Sequence, residues 1–354
     1  MTIPTELIGS MPRSTGLLTA MAAFEAGSLN GAKFAAIQEQ AVRETIEALE
    51  AIGSPVVTDG EQSKRSFLTY PVEGLSNLSA DGAIIPFADG HQRQLPSLAS
   101  GPFRYKTHAD EYLRAARRHA KVPVKQAVVA PSGLSLLYPA AGITGYSREQ
   151  FLDDLVNEAE ADIRGCLDAG AHVVQLDFEE ARLSLKLDPS AGLLDDFIAL
   201  NNRVLSRFTG DERVRIGVYT GPGADQDSTH SLDVDYAGLL PRLLQLTVGS
   251  FYVQLASEPA PDRVLSIIAD HLPSHARVFV GVIDPINPRV ETTEEVRDRV
   301  LVAARYLPVD RLGTCDDAGF APFADDLSTS RETAFAKIRA RVEGTALAAQ
   351  ALGA

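Results

Sequence analysis

A (β/α)8 barrel is the fold class this sequence predicts, and three observations predict it. Eight short β-type runs alternate with helical patterns, most runs end in a polar residue, and several are unbroken apolar stretches. Val278-Phe279-Val280-Gly281-Val282-Ile283 is the clearest of these. Such runs suit parallel strands buried on both faces, and their alternation with helices favours a closed barrel over a doubly wound sheet. The 354 residues fit one barrel of about 250 residues with insertions. No repeat or linker interrupts them, so a single domain over 1–354 is expected.

The runs, in order, are Glu6–Ser10, Pro55–Glu61, Pro123–Val129, Ala171–Phe178, Arg215–Gly221, Ser250–Ala256, Arg277–Asp284 and Arg311–Asp317. After the second, residues 71–112 contain no clear βα unit. Asp81-Gly82-Ala83-Ile84-Ile85-Pro86-Phe87 there reads as a hairpin-like insertion, and its mixed apolar and basic content predicts an ordered lid over the mouth. Ser147-Arg148-Glu149-Gln150 is a capping box opening a helix with Leu152, Leu155, Val156 and Ala159 on one face. Thr292-Thr293-Glu294-Glu295 opens another. Ser330 caps a last long helix through Ala334, Ile338 and Val342, expected to close the barrel's base.

Charge and composition exclude several functions. Lys+Arg of 33 against Asp+Glu of 47 gives −14, which argues against nucleic acid and anionic membranes, both bound through clustered bases. No apolar run approaches the ~20 residues of a membrane span. The start of the chain lacks the basic and apolar regions of a signal peptide, so a cytoplasmic protein is expected. Cys166 and Cys315 alone make neither a disulfide framework nor a thiolate-rich zinc site. The expected partner is a small-molecule substrate; a homo-oligomer is compatible with the sequence.

In a barrel, chemistry gathers where strands end, because side chains there converge on one mouth. The ends supply Ser10 and Arg13, Asp59, Glu61 and Lys64, Gln126 and Ser132, then Asp177 with Glu179 and Glu180. Tyr219, Thr220 and His230 follow, then Gln254 and Glu258, Asp284, and Asp316 with Asp317. Any one of these could simply cap a helix or anchor a loop. Together they bring many carboxylates to one place with few bases. Two charges ~4 Å apart at an effective dielectric of about 20 repel by about 4 kcal/mol, so at least one should keep its proton near neutral pH. Asp177 and Glu61 are therefore expected to face one cavity near Tyr219.

Four motifs carry a resemblance. Ile8-Gly9-Ser10-Met11-Pro12-Arg13, Val57-Thr58-Asp59-Gly60-Glu61-Gln62, Val174-Gln175-Leu176-Asp177 and Gly319-Phe320 resemble, in this order, signatures of the catalytic barrel of cobalamin-independent methionine synthases. The likeness is greatest to the single-barrel subgroup. The resemblance implies a barrel, methyl transfer, and a zinc ion that turns a substrate thiol into a thiolate. It also implies zinc ligands from a His-x-Cys after the fifth strand, a Glu after the sixth and a Cys before the last Gly-Phe. Here those positions hold Tyr219, Gly221, Gln254 and Ala318, none a good zinc ligand. Cys315 lies three residues early. No zinc or other cofactor is expected, and the absence of Trp weakens the pterin stacking the resemblance also implies.

The sequence thus leads to an enzyme that has left zinc–thiolate chemistry and runs acid/base chemistry on a small polar substrate: ring opening, cyclisation, elimination or rearrangement. Asp177 and Glu61 would carry protons, Tyr219 and His230 would act as hydrogen-bond catalysts, and Arg13 and Lys64 would hold an anionic group. Ser10, Asp59, Gln126, Ser132, Gln254, Glu258, Asp284 and Asp317 would line the substrate site. The alternatives are a zinc-independent methyltransferase and a non-catalytic binding barrel. A repurposed pocket explains a mouth full of repelling charges better than a dead one does.

Overall fold

A computed structural model describes residues 2–354. Six parallel strands lie side by side in chain order: β1 (Gln126–Val129), β2 (Val174–Asp177), β3 (Ile216–Thr220), β4 (Ser250–Val253), β5 (Arg277–Ile283) and β6 (Leu312–Asp316). They are the third to eighth predicted runs. The first two runs are not regular strands, which corrects the expectation of eight. Each is held by one parallel bridge, Thr5 to Thr314 on β6 and Val57 to Val124 just before β1. Pro4 and Pro55 lack a ladder donor, and Glu61 turns the second run off with φ 56°. The ring closes between them through Met11 N–H to Gly60 O (3.0 Å) and Thr58 Oγ1 to Gly9 O (2.8 Å). The architecture is a (β/α)8 barrel.

Strand alternation sorts the core into two layers. Val128, Leu176, Val218, Phe251 and Val278 pair in register and pack outward against the helices. One step along, Asp177, Tyr219, Tyr252 and Phe279 share a level and point inward. Tyr219, Tyr252, Phe279, Ile8, Cys315 and Ala318 fill the barrel's interior, with the Tyr252 and Phe279 rings stacked at 4.6 Å. The interior is a packed core, and the free space lies above it.

Both predicted capping boxes form, on the helices Arg148–Asp168 and Thr293–Ala303, and Ser330 caps Arg331–Leu352. That last helix does not close the base. It lies on the outer wall against Thr293–Ala303 and β6, with Arg341 paired to Asp316 and Thr345 bonded to Thr314 (2.8 Å). Residues 71–112 hold two antiparallel pairs, Leu78–Ser79 with Ser97–Leu98 and Ile84–Pro86 with Gln92–Gln94. The second pair docks on a small hairpin after β3, Ala224–Asp225 with Ser228–Thr229. Ala88 N–H donates to Thr229 O (2.9 Å), while His91 and Arg93 reach the fully buried Asp225 carboxylate. None of the described helices is long and apolar enough to cross a membrane.

Candidate active site

A cavity lies above the interior layer, walled by segments that follow the strands. Phe67 and Leu68 come from beyond the second run, Leu136 from beyond β1, Leu183 from beyond β2 and Phe323 from beyond β6. The docked hairpin adds Ile85, Phe87 and Arg93 as a roof. The polar groups facing inward are few: Glu179, Glu180, His230 and Arg93. An apolar cavity with a few convergent polar groups is the usual form of a small-molecule site. It differs from the polar pocket the sequence suggested.

β2 runs straight into the helix Glu180–Leu187, so Glu179 occupies the N-cap position and Glu180 the first turn. Burial, and then the neighbouring Glu180, push the Glu179 carboxyl up to about 7, although the nearby Tyr219 phenol and the Gly223 backbone oppose this. Its Oε2 is shut off from solvent and has no partner. Burial likewise raises Glu180 to about 8, against the hydroxyl of Ser132, which donates to it. Asn201 Nδ2 donates in turn to Ser132 Oγ (2.9 Å). Ser132 is therefore one step behind the cavity. Glu179 and Glu180 were visible in the sequence as Asp177-Phe178-Glu179-Glu180, but nothing in that run said which carboxyl the fold would aim upward.

Asp177 and Glu61 sit beneath, in the barrel's interior, and do not line the cavity; the expectation that they face it directly is corrected. Burial raises both, and Glu61 is the largest charge acting on Asp177. Gln175 Nε2 donates to Asp177 Oδ1 (2.7 Å). Lys64 Nζ stands 3.2 Å from Glu61 Oε1 and 4.4 Å over the Tyr70 ring. Burial pulls the Lys64 ammonium down, but Glu61 and Asp59 outweigh it and hold it charged. Lys64 thus neutralises Glu61 and holds no outside anion. Asp59 Oδ1 accepts from Glu61 N–H (3.0 Å), and its Oδ2 is buried without a partner.

Several expected binding residues serve the scaffold instead. Arg13 donates to the carbonyls of Ala321, Phe323, Glu61 and Lys64 (2.8–3.1 Å), clamping loops together, so its expected role as an anion holder is corrected. Ser10 Oγ accepts from Ala321 N–H (3.2 Å). Gln126 opens β1 rather than ending it, and its register partner Val174 packs in the outer layer. Gln254 and Glu258 both accept from Arg182 Nη1 (2.7 and 2.8 Å), a buried residue the sequence reading missed. Asp317 binds the backbone N–H groups of Leu255, Ala256 and Ser257 (2.7–2.8 Å). Asp284 accepts from Ile286 N–H (3.1 Å) in a turn. His230 does reach the cavity, edge-on to Phe87 with Nδ1 2.9 Å from Ser231 Oγ. Burial, with Lys186 and Arg182 nearby, lowers it to about 3, so it is neutral.

The positions at which the resemblance implies zinc do not fit the ion. The Tyr219 phenol donates to Asp317 O (2.9 Å), and burial raises it far above its ordinary range. A Cβ on Gly221 would overlap that hydroxyl and stand 2.9 Å from Tyr219 Cζ. The Tyr219 side chain therefore occupies the space a Cys at 221 would need. The Gln254 carbonyl faces Arg182, Ala318 has no donor atom, and Cys315 lies in the interior core with its thiol pushed up by burial. Among the described residues, no three His, Cys, Asp or Glu side chains gather as a metal site requires.

Comparison with known proteins agrees with this fold. The chain matches the family described as "Cobalamin-independent synthase, Catalytic domain" over residues 3–343. It is 25% identical over 325 residues to the 5-methyltetrahydropteroyltriglutamate–homocysteine methyltransferase of Nitratidesulfovibrio vulgaris, covering 90% of this chain and 39% of that protein. The chain thus spans about two fifths of that relative. The methionine synthase of Saccharolobus solfataricus is 22% identical, with 97% and 94% covered. Among solved structures, a B12-independent methionine synthase from a Shewanella species, in complex with selenomethionine, superposes with a TM-score of 0.79 at 20% identity, with 99% of each chain covered. A Listeria monocytogenes protein described as a putative vitamin-B12 independent methionine synthase gives 0.71 at 18% identity, with 98% of each covered.

Proposed function

The chain belongs to the cobalamin-independent synthase family by its catalytic domain, and we propose that it works there without zinc, as an acid–base enzyme on a small, largely apolar molecule. One observation carries this reading: Glu179 faces an apolar cavity with a buried, unpartnered Oε2 and a carboxyl poised near 7. A group titrating near the working pH is half protonated there, so it can both give and take a proton, as general acid–base catalysis needs. His230, kept neutral across the cavity, can accept a hydrogen bond at its free ring nitrogen. Burial keeps both carboxyls from ionising readily, with Glu180 adding to the effect on Glu179 and Asp177 below adding to that on Glu180. Ring opening, cyclisation, elimination and rearrangement are the reaction classes such a pair serves. The family's methyl transfer from a folate to a thiol would call for activation that Tyr219, Gly221, Gln254 and Ala318 do not supply.

The test joins three measurements on the purified full chain. Metal analysis should find well under one zinc per chain, and methyl transfer from 5-methyltetrahydrofolate to homocysteine should be absent. Carbon NMR of glutamate-labelled protein should show a carboxyl titrating near pH 7 that vanishes in Glu179→Gln. Stoichiometric zinc with methyl transfer, or a Glu179 signal titrating near 4, would overturn the reading.

A further inference from the structure

We propose that the cavity takes a small organic ammonium ion, an apolar body bearing one protonated amine, with Glu179 and Glu180 as its counter-charge. This names the ligand class of the acid–base reading and rests on it. The argument is one of charge pairing. The cations around and below the cavity each already have partners. Arg93 holds Asp225 through Nε and Nη2 (2.5 and 3.0 Å) and Asp325 through Nη1 (2.8 Å). Arg182 holds Gln254 and Glu258, Lys64 holds Glu61, and Arg13 holds four carbonyls.

Glu179 and Glu180 have no such partner. Neither makes an ion pair among the described residues; Glu180 is met by the Ser132 hydroxyl, and the Glu179 carboxyl by Tyr219 and the Gly223 backbone, with its Oε2 met by nothing. The other groups that face them do not supply a positive charge. Asp177 below is a further carboxyl that burial pushes toward its neutral form, Tyr219 and His230 are neutral, and Lys186 is turned to His230 O (3.1 Å) and Asp233 (2.9 Å). Among the described residues, the cavity therefore holds two carboxyls and no free cation.

Its walls favour a cation as well. Phe67, Phe87 and Phe323 line it, and ring faces attract cations, most strongly where water is excluded. The Arg93 guanidinium already lies 4.2 Å over the Phe323 ring. An entering ammonium would meet aromatic rings and carboxyls together, and its charge would draw a proton off Glu179 or Glu180 as it bound. A carboxylate ligand would bring a third acidic group into a dry site that offers it no cation. A neutral alcohol of the same shape could gain one hydrogen bond and no charge pairing.

Calorimetric titration of the full chain with benzylammonium, benzyl alcohol and benzoate at pH 7, in two buffers of different ionisation heat, decides the matter. Benzylammonium should bind at least about tenfold more tightly than the alcohol, a gap of about 1.4 kcal/mol, and should release protons; benzoate should not bind. Glu179→Gln should weaken the ammonium about tenfold and leave the alcohol nearly unchanged. Equal affinities, a preference for benzoate, no binding by any of the three, or ammonium binding with no proton release and no response to Glu179→Gln would each overturn the proposal. The carboxyl titration of the ligand-free chain separates the two readings. A Glu179 midpoint near 7 without ammonium selectivity removes the ligand class and leaves the acid–base site standing.

Discussion

Tyr219 and Gly221 share one volume, and that pairing explains more of the site than any single carboxylate. The inward-facing phenol of β3 leaves no room for a side chain two residues on, and its hydroxyl ties β3 to the loop after β6 through Asp317 O. Gly221→Ala should therefore overpack the mouth and cost about 1–3 kcal/mol, read by urea denaturation. In a Tyr219→Ala background the same substitution should cost under about 0.5 kcal/mol, because the two residues are coupled through one space. Equal costs in both backgrounds would show that the phenol is not what excludes the side chain. The sequence displayed Tyr219 and Gly221 at the expected ligand positions but not the contact between them. The same limit applies to Arg13, Gln254 and Glu258. A polar residue at a strand end is visible in sequence; its partner, contributed by distant chain, is not. Arg182 takes two of the predicted binding residues out of the site, across 72 and 76 residues of separation.

Elements were more legible than partners because their signals are local. Ser147 with Gln150 and Thr292 with Glu295 are reciprocal caps whose whole geometry lies within four residues, and short β-type runs, several of them near-continuous apolar stretches, marked six strands. The first two runs were marked in the same way, but each forms a single bridge, and the left-handed Glu61 turns the second off. The last helix was placed at the base because its length was readable and its docking side was not. Residues 71–112 were read as an insertion with a hairpin, and the observed hairpin has its second strand at Gln92–Gln94. What the sequence did not reveal is the latch. Arg93 and His91 close on Asp225, roofing the cavity with Ile85 and Phe87. Arg93→Ala should loosen this roof without unfolding the barrel. In hydrogen exchange the Ala88 amide, bonded to Thr229 O, should exchange on the order of tenfold faster, while amides of β4 and β5 keep their protection. Unchanged exchange at Ala88 would mean that the hairpin is held by its apolar side chains alone.

At the scale of the molecule, the acid cluster makes stability depend on pH in an unusual direction. Burial raises Glu179 to about 7, Glu180 to about 8 and Asp317 to about 7, whereas in the unfolded chain such groups titrate near 4. Between these limits the folded chain binds more protons than the unfolded one. Their contribution is therefore complete below about pH 4 and is lost as pH rises through 7 to 8. His230 acts the other way. Lowered to about 3 by burial, it contributes fully above its unfolded value of about 6.5 and loses that contribution as pH falls toward 3. Glu6 behaves similarly at lower pH. Burial would raise it, but Lys125, His172 and Tyr252 prevail and hold it at about 2, so its contribution is lost only in acid. From pH 6.5 to 8.5 the raised carboxyls dominate, these three together with Asp177, which burial pushes up further, and stability should fall, by at most about 1.4 kcal/mol per pH unit for each proton difference. Calorimetry should record this as a Tm lower by several degrees at pH 8.5, at about 2 °C per kcal/mol for a chain of this size. Glu179→Gln, which stays neutral throughout, should flatten the decline while leaving the acid limb in place. A Tm that holds steady or rises over this interval would mean that these carboxyls ionise in the folded chain much as they do in water, and that the mouth is wetter than its lining suggests.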